Sequence, residues 1–211
     1  MRVIGGTWGG RRLLGPPRGA ETRPTSDRVR EAIFNILSSR LHGARVLDLF
    51  AGTGAIAITL AAEMPAVTVD AVDLSEAALS LARENASALG VADRVTLHHG
   101  SLYQPIGDAR YDLVVSNPPY IPTAECDELM PDVARFEPRL ALDGGADGTL
   151  VLRALVARAP AHLLPGGSLV AELGHDQGPA ARALAEAAGF PTVGVTLDYA
   201  RLDRVLTADL T

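Results

Sequence analysis

Apolar positions along this chain fall into short runs separated by longer segments in which they recur on one helical face. That order predicts strands alternating with helices from residue 45 onward. Val46-Leu47-Asp48-Leu49 reads as a short buried strand, Gly54 to Glu63 as a helix, Val67 to Asp73 as a strand, and Glu76 to Leu89 as a helix closed by Gly90. Arg94 to His98 and Tyr111 to Ser116 read as two more strands. A polar excursion bearing Pro and Gly, 117–147, interrupts the alternation. A helix over about 149–161 follows, then a strand Ser168 to Leu173, a helix Pro179 to Ala188, and strands near 192–197 and 203–208. The short Asp198–Leu202 link makes the last two strands an expected antiparallel hairpin. Alternation of this kind builds a mainly parallel sheet with helices on both faces and right-handed crossovers.

The front of the chain is different. Residues 1–24 are rich in Gly, Arg and Pro and carry no helical period, with turns expected at Gly5-Gly6, Gly9-Gly10 and Pro16-Pro17. Pro24-Thr25-Ser26-Asp27 looks like a helix start, and Val29, Ala32, Ile33, Ile36, Leu37 and Leu41 fall on one face before Gly43. The expected organisation is a basic N-terminal arm plus amphipathic helix, 1–43, and a larger domain, 44–211.

Charge sharpens that division. All nineteen basic residues are arginine. Nine of them lie in residues 1–45 against Glu21, Asp27 and Glu31, a net of +6, so the remainder carries −12 of the total −6. A basic arm on an acidic body fits an anionic partner such as RNA, and it equally fits a solvated surface. With 47% apolar residues, the 211-residue chain has enough for a buried core. It has no apolar run near the roughly 20 residues that span a bilayer, and Met1 to Gly6 lacks the apolar centre of a secretory signal. Cys126 stands alone, and His42, His98, His99, His162 and His175 show no metal-ligand spacing. A cytoplasmic, metal-free protein with no membrane association is expected.

Two motifs carry chemistry. Asp48-Leu49-Phe50-Ala51-Gly52-Thr53-Gly54 follows the first strand, where open parallel sheets bind ligands. Gly52 and Gly54 allow a sharp turn and close approach, and the turn opens a helix whose N-terminus favours a carboxylate. Position 57 is Ala, so the full dinucleotide fingerprint is missing. Asp73 ends the second strand nineteen residues past Gly54, where a carboxylate can accept both hydroxyls of a ribose. The second motif, Asn117-Pro118-Pro119-Tyr120, follows the fourth strand. Two prolines without N–H groups restrict the backbone and leave a carbonyl outward as an acceptor. The Asn117 side-chain oxygen is a second acceptor. Together they can grip both hydrogens of one planar NH2 group, orienting its lone pair, while Tyr120 can stack on the plane.

Asp48-x-x-x-Gly52-x-Gly54 with Asp73 resembles the class I S-adenosylmethionine-dependent methyltransferases. The resemblance implies a Rossmann-like, seven-stranded, mainly parallel sheet with helices on both faces and a C-terminal antiparallel hairpin. It implies S-adenosyl-L-methionine bound by Asp48, Phe50, Ala51, Gly52, Thr53, Gly54, Asp73, Ser101, Leu102 and Asn117. The second motif resembles the N-P-P-Y box of amino-methyltransferases, which implies Asn117, Pro118 and Tyr120 as catalytic and Pro119 beside them in the substrate pocket.

Residues 44–211 resemble the HemK/PrmC family of protein-glutamine N5-methyltransferases, which modify the Gly-Gly-Gln glutamine of peptide chain release factors. The matching stretches include Arg83-Glu84-Asn85-Ala86, Ser116 to Pro122, Phe136 to Gly148, Glu172 to Gln177 and Asp203-Arg204-Val205. Two departures stand out. Ser101 replaces the family's Asp after the third strand, and the Phe50-Ala51 pair replaces its first turn glycine. Residues 1–43 instead resemble RsmD, the guanine-N2 methyltransferase of small-subunit ribosomal RNA, through Arg2 to Gly6, Gly10 to Leu13, Pro16 to Gly19 and Arg23 to Glu31. Glutamine N5 of a release factor is the first expected target. The alternatives are 16S rRNA guanine-N2, reached through the arginine-rich arm, and an RNA- or cofactor-binding protein with little catalysis.

Overall fold

The computed structural model describes residues 13–14, 43–128, 139–198 and 200–211. The expected loose arm (apart from residues 13–14), the helix after Pro24 and the start of the Phe136–Gly148 segment lie outside the described residues.

The strands and helices, numbered among the described residues, run β1 (Arg45–Leu49), α1 (Ala55–Glu63), β2 (Thr68–Asp73), α2 (Glu76–Ala88), β3 (Val95–His99), β4 (Tyr111–Ser116), α3 (Leu150–Arg158), β5 (Leu163–Glu172), α4 (Gly178–Ala187), β6 (Thr192–Leu197) and β7 (Asp203–Asp209). They form one seven-stranded sheet in the order β3-β2-β1-β4-β5-β7-β6. The first five strands in that order are parallel, and β7 runs antiparallel to both β5 and β6. The expected fold class and C-terminal hairpin are therefore present. This is the class I methyltransferase fold.

Period-two alternation separates the core into two layers. Val46, Leu113, Val115 and Val170 join one buried cluster with Ile56, Ile58, Leu60 and Ala86 of α1 and α2. Their neighbours Leu47, Val114, Leu169 and Ala171 join a second cluster with Leu152, Leu155, Ala181 and Ala185 of α3 and α4. α1 is buried from Ala55 through Ala62, as expected of a helix apolar on every side. α2 buries only Ala78, Leu79, Ala82, Asn85 and Ala86, a single stripe with one polar member. Ser75 caps it by accepting from the Ala78 N–H at 3.2 Å.

Two boundaries differ from expectation by more than one residue. α3 ends at Arg158 and continues only as a 3-10 turn, Ala159–His162, because Pro160 has no N–H for an α-helical bond. β5 begins at Leu163 rather than Ser168. The Pro165-Gly166-Gly167 stretch reads as a turn, yet it is absorbed as an irregularity: Tyr111 pairs with Leu163 and Leu113 with Ser168.

Strand order reverses between β1 and β4, which places the switch point there. Register then decides what meets at the rim. Leu49 pairs with Ser116 on one side and Val72 on the other. The next residues, Phe50, Asn117 and Asp73, are brought abreast at the carboxyl edge. The Ser116 hydroxyl fastens the two strand ends by donating to the Leu49 carbonyl at 3.0 Å.

Candidate active site

A cavity of about 300 Å3 opens at this rim. Phe50, Gly52, Asp73, Leu74, Ser75, Ser101, Leu102, Asn117, Pro118 and Pro119 line one part of it, and Leu140, Ala141, Asp143, Leu150, Val151 and Ala154 close the other. Three of its leucines, Leu74, Leu140 and Leu150, are among the exposed large apolar residues and form a greasy lip.

The turn after β1 is held by long-range side chains. Asp73 accepts from the Gly52 N–H through Oδ2 and from the Ser75 N–H through Oδ1, both at 2.8 Å. Burial raises its carboxyl above the ordinary carboxylate range, and the N–H groups that it accepts from pull it back. Gly54 takes φ +78, and a Cβ there would stand 2.6 Å from Ile58. Phe50 adopts φ 61 and Leu102 φ 48. Both are left-handed conformations that cost a branched or bulky residue about 1 kcal/mol or more. Phe50 holds a conformation that glycine would adopt without strain, and its ring forms part of the cavity wall.

Asp48 lies beneath the turn, fully buried, and does not line the cavity. Strand alternation points it to the α1 side, where Oδ2 accepts from the Ala57 N–H at 2.9 Å and so caps a helix whose own Gly54 cap has no side chain. Its Oδ1 has no hydrogen-bond partner among the described residues. Burial pushes this carboxyl up to about 8, with Asp73 adding to the effect. Burial therefore favours the neutral form of Asp48 far above the pH at which an exposed aspartate ionises. Ala51 and Thr53 are buried behind the turn as well. The sequence-expected cofactor set therefore splits. Phe50, Gly52, Asp73, Ser101, Leu102 and Asn117 meet on the cavity wall, whereas Asp48, Ala51, Thr53 and Gly54 support it from behind.

The Asn-Pro-Pro-Tyr run is held by backbone. Ile121 N–H donates to the Leu142 carbonyl at 2.9 Å, Gly144 N–H to the Ile121 carbonyl at 2.8 Å, and Thr123 N–H to the Gly145 carbonyl at 2.9 Å. Beside this short parallel bridge, Gly144 and Gly148 have no room for a Cβ. A Cβ on Gly144 would lie 2.9 Å from the Pro119 carbonyl oxygen, and one on Gly148 2.4 Å from that of Tyr120. Gln177, from the turn before α4, ties the pieces together. Its Nε2 donates to the carbonyls of Tyr120 at 3.1 Å and Gly148 at 3.0 Å, while its Oε1 accepts from the Gly174 N–H at 3.0 Å. Asp143 stiffens the same loop. The Thr123 hydroxyl and the Gly145 N–H both donate to it, at 2.6 and 2.9 Å, and they hold its carboxyl below the ordinary value.

Tyr120 does not join Asn117, Pro118 and Pro119 on the cavity. It lines a second cavity of about 320 Å3 with Glu125, Arg153, His175 and Gln177, on the other side of the run. Its hydroxyl donates to Glu172 Oε1 at 3.2 Å. Residue order alone could not say which way the chain turns after the second proline.

Chemically, the first cavity suits a nucleoside without phosphates. Its lining is mainly apolar, with Asp73 at the turn and Asp143 opposite, and among the described residues no arginine or histidine lines it to balance phosphate charge. Among the described residues there is no cluster of three metal-ligating side chains, and no helix is long and apolar enough to cross a membrane.

A family model described as Conserved hypothetical protein 95 matches residues 1–139. Over 165 residues, 78% of this chain, the sequence is 46% identical to a protein of Geobacter sulfurreducens named release factor glutamine methyltransferase, of which it covers 57%. Over 130 residues, 62% of the chain, it is 50% identical to a ribosomal protein uL3 glutamine methyltransferase of Bradyrhizobium diazoefficiens, covering 40% of that protein. The chain therefore spans about two fifths to three fifths of the length of these relatives. Among solved structures, the Thermus thermophilus 16S rRNA N2 G1207 methyltransferase in complex with AdoMet and guanosine superposes with a TM-score of 0.64 at 22% identity, over 89% of this chain and 44% of that one.

Proposed function

The chain belongs to the family described as Conserved hypothetical protein 95, and from its rim geometry we propose that it is an S-adenosylmethionine-dependent N-methyltransferase acting on a planar NH2 group, first of all N5 of the Gly-Gly-Gln glutamine of peptide chain release factors. The observation that carries this reading is the shared cavity. Asn117, Pro118 and Pro119 stand on the same wall as Gly52 and Asp73, so an acceptor pair for an NH2 group borders a nucleoside-sized space. Relatives at 46% and 50% identity named glutamine methyltransferases support the amide as target.

S-adenosylmethionine would supply a methyl group bound to a positively charged sulfur. Asp73 would hold the ribose hydroxyls, with Ser101 and Leu102 beside the adenine. Phe50 and Val151 would form the apolar wall beside the reacting face, with Leu140 and Leu150 at its open lip. Asn117 and the run's carbonyl accept the two N–H bonds of the amide and aim its nitrogen. Positioning of this kind supplies much of the rate where the leaving group is neutral. No side chain in the cavity has to act as a base, because the nitrogen sheds its proton readily once it is methylated. Tyr120, facing the second cavity, contacts the polypeptide that carries the glutamine.

A second reading is methylation of guanine N2 in 16S ribosomal RNA. It is favoured by one observation, that the family match begins at residue 1 and includes the arginine-rich arm. The two readings part when methyl-labelled S-adenosylmethionine is offered separately to a release factor and to under-methylated small ribosomal subunits. Label on the release-factor glutamine is the expected result. Label confined to RNA selects the second reading, and label on neither overturns both.

A further inference from the structure

Asn85 is the one polar residue on the buried stripe of α2 and is 1% exposed. Its amide does not serve the helix. Oδ1 accepts from the Leu14 N–H at 2.7 Å, and Nδ2 donates to the Leu14 carbonyl at 3.0 Å and to the Thr53 carbonyl at 3.1 Å. The first two bonds are the pairing that a neighbouring β-strand would offer, so one side chain substitutes for a strand edge. Leu13, immediately before, is 1% exposed and belongs to the same buried cluster as Ala51 and Ile56, the residues on either side of the glycine turn. The third bond reaches the turn itself. Thr53 follows Gly52, whose N–H is held by Asp73 at the cavity wall. A continuous path thus runs from residue 14 through Asn85 and Thr53 to Gly52 and Asp73.

Nothing in helix formation calls for asparagine at this position, and Ala there would raise helix propensity. A buried amide survives only where its hydrogen bonds are met. Here they are met by the N-terminal segment and the turn together, and by neither alone. We infer that Asn85 is a positioning residue that couples the seating of the N-terminal segment at Leu13–Leu14 to the shape of the cofactor turn, so that S-adenosylmethionine binds tightly only while that segment is docked. The inference rests on the proposed identity of the cavity as the cofactor site. It also gives the arm a role within the chain whichever substrate is methylated: a partner that grips the arm would alter cofactor affinity through this amide.

The test uses the full chain and two readouts, the dissociation constant for S-adenosylmethionine and hydrogen exchange at the Gly52 and Gly54 amides without ligand. Asn85→Ala should weaken cofactor binding about tenfold, as losing about 1.4 kcal/mol would, and speed exchange at both glycines. Leu14→Pro removes the N–H donated to Asn85 at a half-exposed residue and also restricts the backbone there and at Leu13. It should reproduce part of the effect, and the double variant should bind no worse than Asn85→Ala. Phe190→Leu, which loosens the opposite core layer, should lower the melting temperature while leaving both readouts alone. Wild-type affinity and wild-type exchange in Asn85→Ala, or in Leu14→Pro should Asn85→Ala not fold, would overturn the coupling. Strictly additive losses would overturn it too. If the wild type binds no S-adenosylmethionine, the functional reading fails, and the exchange data still decide whether Asn85 links the two segments.

Discussion

The two halves of the rim are built by opposite means. The turn after β1 is shaped by side chains that arrive from other elements, namely Asp48 below, Asp73 beside and Asn85 behind. The run after β4 is shaped by backbone lying against backbone, with Gly144 and Gly148 admitting the approach and Gln177 buckling the result. Side-chain support can be retuned one residue at a time, and this chain has done so by placing Phe50 where a glycine would relieve the turn. Close backbone contact tolerates no such drift, because any added carbon meets a carbonyl oxygen. The acceptor half should therefore be brittle and the cofactor half adjustable.

Among the residues that only support the rim, the largest break expected is Gly148→Ala. Gly148 has φ +70, and the new Cβ would meet the Tyr120 oxygen at 2.4 Å. Displacing the run by about an ångström should cost about a hundredfold in methyl transfer. Gly90→Ala is the control. Gly90 has φ +67 with open space around it, so its cost should be limited to about 1 kcal/mol of stability and leave activity intact. Equal activity in the two variants would refute the contrast between the halves.

Gln177→Ala comes next. It strands two carbonyls and the Gly174 N–H, at about 1–3 kcal/mol for each group left dry and unpaired. Turnover should fall about tenfold, while affinity for S-adenosylmethionine stays put. A matching loss of cofactor affinity would mean that the buckle serves the whole rim rather than the acceptor side.

Asp48 offers a pH test of the adjustable half. Its carboxyl is raised from 3.8 to about 8 by burial. Between those values the folded protein keeps a proton that the unfolded chain releases, so this group erodes stability as pH rises through the window. The slope is about 1.4 kcal/mol per pH unit. Below the window the group imposes no such penalty. Urea unfolding of wild type and Asp48→Asn at pH 5, 6, 7 and 8 should show the gap shifting steadily in favour of the variant. A gap that does not change with pH would mean that Asp48 is charged in the fold.

Phe50→Gly should have the smallest effect. Relief of the φ 61 strain, about 1 kcal/mol, is offset by the greater freedom of glycine in the unfolded chain. The melting temperature should barely move, and cofactor affinity should fall only about threefold with the lost wall, under 1 kcal/mol.

Most of the frame was legible in the sequence, because strand runs and glycine breaks obey local rules. β4 falls where its apolar run places it, and positions 50, 73 and 117 could be named from strand ends alone. What stayed hidden depends on contacts far apart in sequence. Asp48 looked like a ligand residue because it sits one step before the rim, but alternation turns it under α1. Tyr120 looked like part of the same pocket as Asn117, and the backbone carries it to the next cavity. Asn85 and Gln177 stood inside recognised stretches without a role. The signal that could have exposed Asn85 was its place on an otherwise apolar helical stripe. For Gln177 no local pattern exists, since its three partners lie at 120, 148 and 174.

The claim at the centre is that Asn117 orients a planar nitrogen at the edge of the cofactor cavity. Single-turnover methyl transfer by Asn117→Ala, measured beside its dissociation constant for S-adenosylmethionine, tests this most directly. The account predicts a rate lowered about a hundredfold or more with cofactor affinity within about threefold of wild type. A variant that transfers methyl groups at near wild-type rate would contradict it.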